Sequence, residues 1–439
     1  MVEATAHDRG VIQISCAVLL AATVLFNPVL ALGGAYGLPL SAGLVASVQG
    51  AIVAGALILG MAQPEAPPYR WIAVVLALVA ASVLTGAIRS QFDAKSLGDV
   101  LLVPAFILLG TRLSPRTLIV TIVTVQALVL AAGIWEVANP EHFGATFRIA
   151  NYYMNTRGFS EADFWAGGDL FISSERPQGR LLLAGSGLHR GSSLFLEPVS
   201  LGNWAVVVAI ATAMLWSRLS NLLRIGLIVS TLMLLVICDG RLSLSVCLLL
   251  LAFLPIARHL PERFSVLYLP VCILALVIAA QLGLLTETGD TFAGRLRYAL
   301  EAFGRLDITH LLGVSEKRVG MEDAGLAYFI VRQSVFVAIG LWLVLTLTSL
   351  GDDRAGRICK HGFMLFVVLC LPISNALLSI KTAALMWACY GFCYAQARRS
   401  VNDDSGALDA REAWGSPQDV TLREPIILAG ARPWAPGHG

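Results

Sequence analysis

Charge is what this sequence has least of. Only 14% of its 439 residues are Asp, Glu, Lys or Arg, against 57% that are hydrophobic. Such a chain has too little polar surface to coat a water-soluble domain and reads as a polytopic membrane protein. Several chemical signatures are missing too. None of the eight cysteines, Cys16, Cys238, Cys247, Cys272, Cys359, Cys370, Cys389 and Cys393, stands at a spacing that suits a metal or a disulfide framework. They read as small apolar residues of the core. There is no P-loop, and no Asp-x-Asp pair stands in the polar loops. No internal repeat is visible, which weighs against a secondary transporter. The net charge of +2 averages over two faces of a bilayer and excludes nothing.

What is present is apolar length. Crossing a bilayer takes roughly 17–25 apolar residues per helix, and about twelve stretches qualify. They lie near 11–33, 39–61, 71–88, 97–111, 117–135, 199–217, 222–238, 241–257, 264–285, 325–349, 362–374 and 376–396. The first reads as a span and not a cleaved signal, because no small-residue cleavage site and soluble domain follow it. The expected class is therefore all-α and integral to the membrane. Helices 1–5 occupy 1–135, a first large polar loop 136–198, helices 6–9 199–285, a second large loop 286–324, and helices 10–12 325–396. The segment 397–439, rich in Gly, Pro and Asp, reads as a disordered tail. In the short loops, Arg70, Arg112, Arg116, Arg218, Arg224, Arg258, Arg263, Arg354, Arg357, Lys360, Arg398 and Arg399 fall on one side. The other side carries only Arg89, Lys95, Arg241 and Lys381. The positive-inside rule then puts both termini in the cytoplasm and both large loops outside.

The stretch Arg190-Gly-Ser-Ser-Leu-Phe-Leu-Glu-Pro-Val-Ser-Leu-Gly-Asn203 closes the first large loop and opens an apolar helix. Pro198 suits the first helical turn, where a missing N–H costs nothing. Glu197 then sits at the mouth of a membrane helix with Arg190 just before it. An acid and a base at such an edge pair, face water or serve chemistry. A structural ion pair at a helix cap is the plain alternative. Lys381 lies about a turn inside its span and must snorkel or find an anion. Arg190, Arg241 and Lys381 map to one face of the membrane, and three cations near one depth suit a diphosphate at the lipid–water boundary.

The first loop also holds Arg148, Arg157, Arg176, Arg180, Trp165, Tyr152 and Tyr153. Aromatic faces beside hydrogen-bonding side chains suit sugars, although any loop of this length carries such residues. In the second loop, Phe292, Leu296, Ala299, Leu300 and Phe303 share one helix face, and Arg297–Glu301 and Glu301–Arg305 are i, i+4 neighbours. An amphipathic helix on the outer surface is expected, either a plain lid with a solvated charged face or a contact for substrate. His310 follows it.

Taken together, these segments resemble the Wzy-type polysaccharide polymerases, of the superfamily that includes the O-antigen ligases. The Arg-x-Ser-Ser-x-Phe-x-Glu-Pro-x-x-x-Gly-Asn segment is the most specific part. The Gly240-Arg241-Leu-Ser-Leu-Ser helix start, the His310-Leu-Leu-Gly-Val-Ser turn and the helix Ala324-Gly-Leu-Ala-Tyr-Phe-Ile-Val-Arg-Gln support it. The likeness covers roughly residues 140–390 and is nearest to exopolysaccharide polymerases of xanthan or sphingan type. Arg-(ten residues)-Gly pairs of the kind some such polymerases carry occur at Arg157–Gly168, Arg176–Gly187 and Arg180–Gly191. None of Arg295, Arg297, Arg305 or Arg318 begins one in the second loop.

The resemblance implies a GT-C-like fold in the bacterial inner membrane. It implies a glycosyltransferase that moves a growing glycan from undecaprenyl diphosphate to a hydroxyl of an incoming lipid-linked repeat on the periplasmic face. It implies no cofactor, no metal and no nucleic acid, and a flippase and chain-length or export proteins as partners. Arg190, Arg241, Lys381 and Arg180 would hold the diphosphate, Trp165, Tyr152 and Arg297 would meet sugars, and Glu197 or His310 would be the base. His310 is preferred on chemistry, since an ordinary imidazole titrates near neutrality, whereas a carboxylate held by Arg190 is a poorer base. A ligase that moves glycan to another acceptor is the nearest rival. A polysaccharide transporter or exporter, and a scaffold of a synthesis complex, are rivals of other classes.

Overall fold

The computed structural model describes residues 6–62, 68–160, 169–174, 180, 182–287, 291–315, 321, 323–375 and 378–413, with backbone alone for 6–9 and 401–413. Among these residues all regular structure is helical. The long helices of the first part are α1 (Ala6–Ala35), α2 (Ala42–Met61), α3 (Tyr69–Ile88), α4 (Ala94–Gly110) and α5 (Pro115–Ala138). The first polar loop carries α6 (Pro140–Phe147) and α7 (Ile149–Arg157). Then come α8 (Pro198–Met214), α9 (Asn221–Cys238), α10 (Arg241–Ala257) and α11 (Tyr268–Gln281), the last preceded by a 3-10 turn from Glu262 to Leu267. The second polar loop carries α12 (Phe292–Gly304) and α13 (Ile308–Leu311). The chain ends with α14 (Gly325–Gln333), α15 (Val335–Leu347), α16 (Arg354–Cys370) and α17 (Ile380–Ala413).

Local chemistry sets many of these starts. Ser41, Asp93, Ser114 and Ser220 each accept the backbone N–H three residues on, which satisfies one of the orphan donors of a helix N-terminus. Pro115 and Pro198 occupy first helical positions. Among the described residues, six helices are long and apolar enough to cross a membrane, and seven if the bent pair α14–α15 is one span. The helices α8 and α10 are shorter apolar helices of 17 residues.

Residues 1–397 form one compact unit and residues 398–439 a second. In the first unit α8 lies at the centre, nearly all of it buried, packed on α9, α10 and α16. By contrast, α11 buries none of its side chains. The helices α4 and α17 approach backbone to backbone. A Cβ at Gly110 would collide with the Ala388 carbonyl oxygen, and one at Gly391 with that of Ile107. Both positions need glycine for this close approach.

Several sequence expectations change here. The tenth apolar stretch is broken at Ser334 (φ 124°), and α14 and α15 meet at 113°. The break is held by polar side chains from elsewhere. Arg89 donates to the Val331 carbonyl at 2.7 Å, and Gln333 Nε2 donates to the carbonyl of Ser96 at 2.7 Å. The eleventh helix starts at Arg354 and not near 362, because Asp353 caps it and its polar residues find partners inside. Lys360, fully buried, donates to the carbonyls of Leu345 and Thr348 at 2.6 and 2.5 Å, at the buried C-terminal end of α15. Helix α17 runs on to Ala413, where a disordered tail was expected, since extending a formed helix costs far less than starting one. Residues 414–439 lie outside the described residues.

The amphipathic helix is present as α12, but its buried residues are Gly294, Ala299 and Ala302, and Phe292 is exposed. Small side chains let α12 sit close to Ala327, Tyr328 and Val331 of α14, which rotates the expected face.

Candidate active site

Glu136, near the end of α5, organises the Ser192–Ser193 turn. Its side chain is fully buried. It accepts the backbone N–H groups of Ser192 and Ser193 at 2.7 and 2.6 Å and the Ser192 hydroxyl at 3.0 Å, and His189 Nε2 lies 3.5 Å away. Ser193 also donates its hydroxyl to the Val129 carbonyl at 2.5 Å. The turn is strained: Ser193 and Leu196 both adopt left-handed backbone, at φ 50° and 56°. Each such residue costs roughly 1–3 kcal/mol, which the buried carboxylate network offsets. The turn thereby sets the angle at which Glu197 and Pro198 enter α8.

The arginines of the loop meet the C-terminal end of α9. Its last carbonyls accept from Arg180 (to Val236), from the Gly191 N–H (to Ile237, 2.9 Å) and from Arg190 Nε (to Cys238, 3.0 Å). Arg190 also donates to the Ser173 carbonyl at 3.1 Å, and Arg180 to the His189 carbonyl at 2.9 Å. Asp239, left-handed at φ 47°, accepts the Leu182 N–H at 2.7 Å. These bonds satisfy groups that a helix C-terminus leaves open, and the cations oppose its partial negative charge. Two residues on, Arg241 opens α10.

Glu197 is held by Lys381. The Lys381 Nζ lies 3.1 Å from Glu197 Oε2 and 3.3 Å from the Phe195 carbonyl oxygen, with the lysine only 3% exposed. The Ser200 hydroxyl donates to the same carboxylate at 2.9 Å, and Arg157 approaches it at 4.0 Å. The lysine stands second in α17, in the positive first turn of a helix, so the half-buried carboxylate opposite it is the needed partner. It pairs in place and does not snorkel. Burial pushes the Glu197 carboxyl up, but the Lys381 and Arg157 charges and the Lys381 and Ser200 hydrogen bonds overcome this and hold it at about 2. A carboxylate so acidic is a fixed anion at neutral pH and a poor proton acceptor. Arg157 stacks over the Tyr153 ring at 4.8 Å, and burial pushes the Tyr153 phenol well above its ordinary range, so it remains a neutral donor. Among the described residues, the buried Tyr153 hydroxyl and Asn203 Oδ1 meet no hydrogen-bond partner.

The other expected residues fall elsewhere. Tyr152 is buried and gives its hydroxyl to Asn27 of α1 at 2.7 Å, so its ring faces the core. Trp165 lies outside the described residues. Arg297, on the surface of α12, donates to Glu301 at 2.9 Å and to the Thr286 carbonyl at 3.2 Å. His310 is buried in a short local system. Its backbone N–H donates to Asp307 Oδ1 at 2.9 Å, its Nδ1 lies 2.8 Å from the same oxygen, and its Nε2 lies 3.2 Å from Ser315 Oγ. Gly313 (φ 72°) lets this turn press on the Gln333 carbonyl, where a Cβ would stand at 2.9 Å.

The structure thus joins Glu197 to Lys381 and puts Arg190 and Arg180 on the end of α9. Sequence reasoning passed over Glu136, Arg157 as a partner of Glu197, and Asp307. A carboxylate at the end of an apolar run, as Glu136 is, signals a buried partner by its cost alone. Asp307, three residues before His310, is legible as a helix cap. No signal along the chain joins Arg157 or Lys381 to Glu197. No family model matches the sequence, and no curated protein or solved structure matches it either.

Proposed function

We propose that the chain is a membrane-embedded glycosyltransferase, a polymerase of lipid-linked polysaccharide repeats, acting at the outer face of a bacterial inner membrane. The observation that carries this reading is the convergence of Arg157, Glu197, Ser200 and Lys381 where a polar loop enters an apolar helix. Two cations and one carboxylate leave a net positive charge at the lipid–water boundary, where a polyprenyl diphosphate presents its head group. In this reading the twelve apolar segments all cross and both termini are cytoplasmic.

The chemistry follows from the residues. Among the described residues His310 has only local partners, and this reading requires the bound glycan to span from it to the charged cluster; its Nε2 then takes the proton of an acceptor sugar hydroxyl. The oxygen attacks the anomeric carbon of the growing glycan, the bond from that carbon to the diphosphate oxygen breaks, and polyprenyl diphosphate departs. Arg157, Lys381 and Arg241 stabilise its charge. Glu197 serves as the fixed counter-charge that keeps Lys381 in place. Arg190 and Arg180 act by holding the end of α9, and so the start of α10, in register. Arg297 and Trp165 remain candidates for sugar contacts.

The test is elongation by purified protein in detergent, with no gradient, using the lipid-linked repeat that accumulates in a deletion strain. A ladder of longer lipid-linked products supports the polymerase, and its loss in Arg157→Gln supports the diphosphate site. Transfer of finished glycan to another acceptor without elongation points to a ligase. Neither reaction, under conditions where the protein is folded, sinks both.

A second reading, an exporter, is favoured by one observation, the broken α14–α15 pair, since transporters bind cargo at such breaks. Against it, the carbonyls of Val331 and Arg332 at the break already accept from Arg89.

A further inference from the structure

We infer that Asp307 is a positioning residue that fixes the proton of His310 on Nδ1, and that Ser315 Oγ marks the place of the acceptor hydroxyl. This rests on His310 being the base of the proposed transfer. Three side chains within nine residues stand together: Asp307 Oδ1 is 2.8 Å from His310 Nδ1, a charge contact off the line of a hydrogen bond, and His310 Nε2 is 3.2 Å from Ser315 Oγ. A carboxylate at one ring nitrogen selects the tautomer that carries its proton there. The other nitrogen then presents a lone pair, and a hydroxyl already sits at the distance from which a base takes a proton.

Burial sharpens the assignment. The His310 side chain is 7% exposed and that of Asp307 62%. The ring is therefore fixed while the carboxylate stays solvated and charged. Hydrogen bonds from the Thr309 hydroxyl and the His310 N–H hold the Asp307 carboxyl below its usual range, so it is an anion at any working pH. Such an anion also stabilises the imidazolium that forms when His310 takes a proton. Ser315 is partly exposed, so a sugar hydroxyl can reach Nε2 beside it or in its place.

The plain alternative is that Asp307 only caps α13. The two roles separate by chemistry. A cap needs an oxygen acceptor, which Ser and Asn supply nearly as well as Asp. Positioning an imidazolium needs a negative charge.

The experiment compares Asp307→Ser, Asp307→Asn, Asp307→Glu, Ser315→Ala and His310→Ala as full-length protein in detergent, with the lipid-linked repeat of a deletion strain as substrate. Asp307→Ser and Asp307→Asn should lower kcat by about 10²–10⁴-fold with KM and melting temperature little changed. Asp307→Glu should recover part of the loss. Ser315→Ala should keep kcat and raise KM for the acceptor. Wild-type kcat in Asp307→Ser overturns the positioning role, and abolished kcat in Ser315→Ala overturns the acceptor marker. Full activity in His310→Ala is a different failure: it removes the base itself, and with it the reading on which the inference rests.

Discussion

The first polar loop is tied to distant parts of the chain by its charged side chains, whereas the charged pairs described in the second close within it. Glu136 binds Ser192 and Ser193, Arg190 binds Cys238, and Lys381 binds Glu197 across 184 residues. Asp307 binds His310, His310 meets Ser315, and Arg297 binds Glu301, none more than five residues apart. The first loop therefore takes its shape only once α1, α5, α8, α9 and α17 have packed. The second carries its own geometry and is attached to the body through the small residues of α12 and the Gly313 turn. The first sets charges at fixed places, and the second holds an imidazole between Asp307 and Ser315. A loop of the second kind can shift as a unit without disturbing the pairs of the first.

The largest way to break this contrast is Glu136→Ala. It strands two buried N–H groups and a hydroxyl, and a loss on the order of 4 kcal/mol is expected. Thermal unfolding in detergent and the amount of protein in the membrane both read it. Next is Glu197→Ala, which leaves Lys381 buried and unpaired and should cost about 3 kcal/mol. The double variant Glu197→Ala with Lys381→Met should recover most of that stability, with transfer activity still lost. An additive double variant would show that the two side chains are not coupled.

Proton linkage sharpens the same point. The Glu197 carboxyl sits at about 2, below its ordinary 4.5. A depressed carboxyl stabilises fully above its unfolded value, and the contribution fades as pH falls from 4.5 through about 2. The melting-temperature gap between wild type and Glu197→Gln should be flat at neutral pH and close in that acid window. A gap that closes near neutrality would mean Glu197 is not the fixed anion described. The smallest effect belongs to the second loop. Arg297→Ala removes an exposed i, i+4 pair and should change stability by no more than about 0.5 kcal/mol.

How much was legible follows the same divide. Apolar runs predict the helices because burial and membrane crossing both demand length: eleven of the twelve stretches hold one α-helix each, and the tenth holds the bent pair α14–α15. The start of α8 at Pro198 is legible because proline and helix N-termini share a local rule. The break at Ser334 is not. Gln333-Ser334 contains no Gly or Pro, and the break is set by Arg89, Ser82 and Ser96, residues far away in the chain. The partner of Glu197 is hidden for the same reason. Arg190 is the nearest cation in sequence, but the open carbonyls of α9 occupy it. Local signals reveal where a charge stands, and only packing reveals what it meets.

The glycine contact between α4 and α17 acts as a ruler. With the two backbones in direct contact at Gly110 and Gly391, α17 has no room to slide along its neighbour. Lys381 stands ten residues before Gly391, about 15 Å along the helix. Its height along the bundle is thus measured off from a seam deep inside the protein. One residue added between them would turn the lysine by about 100° and carry it off Glu197, though every side chain of the site were kept. The spacing itself is part of the site.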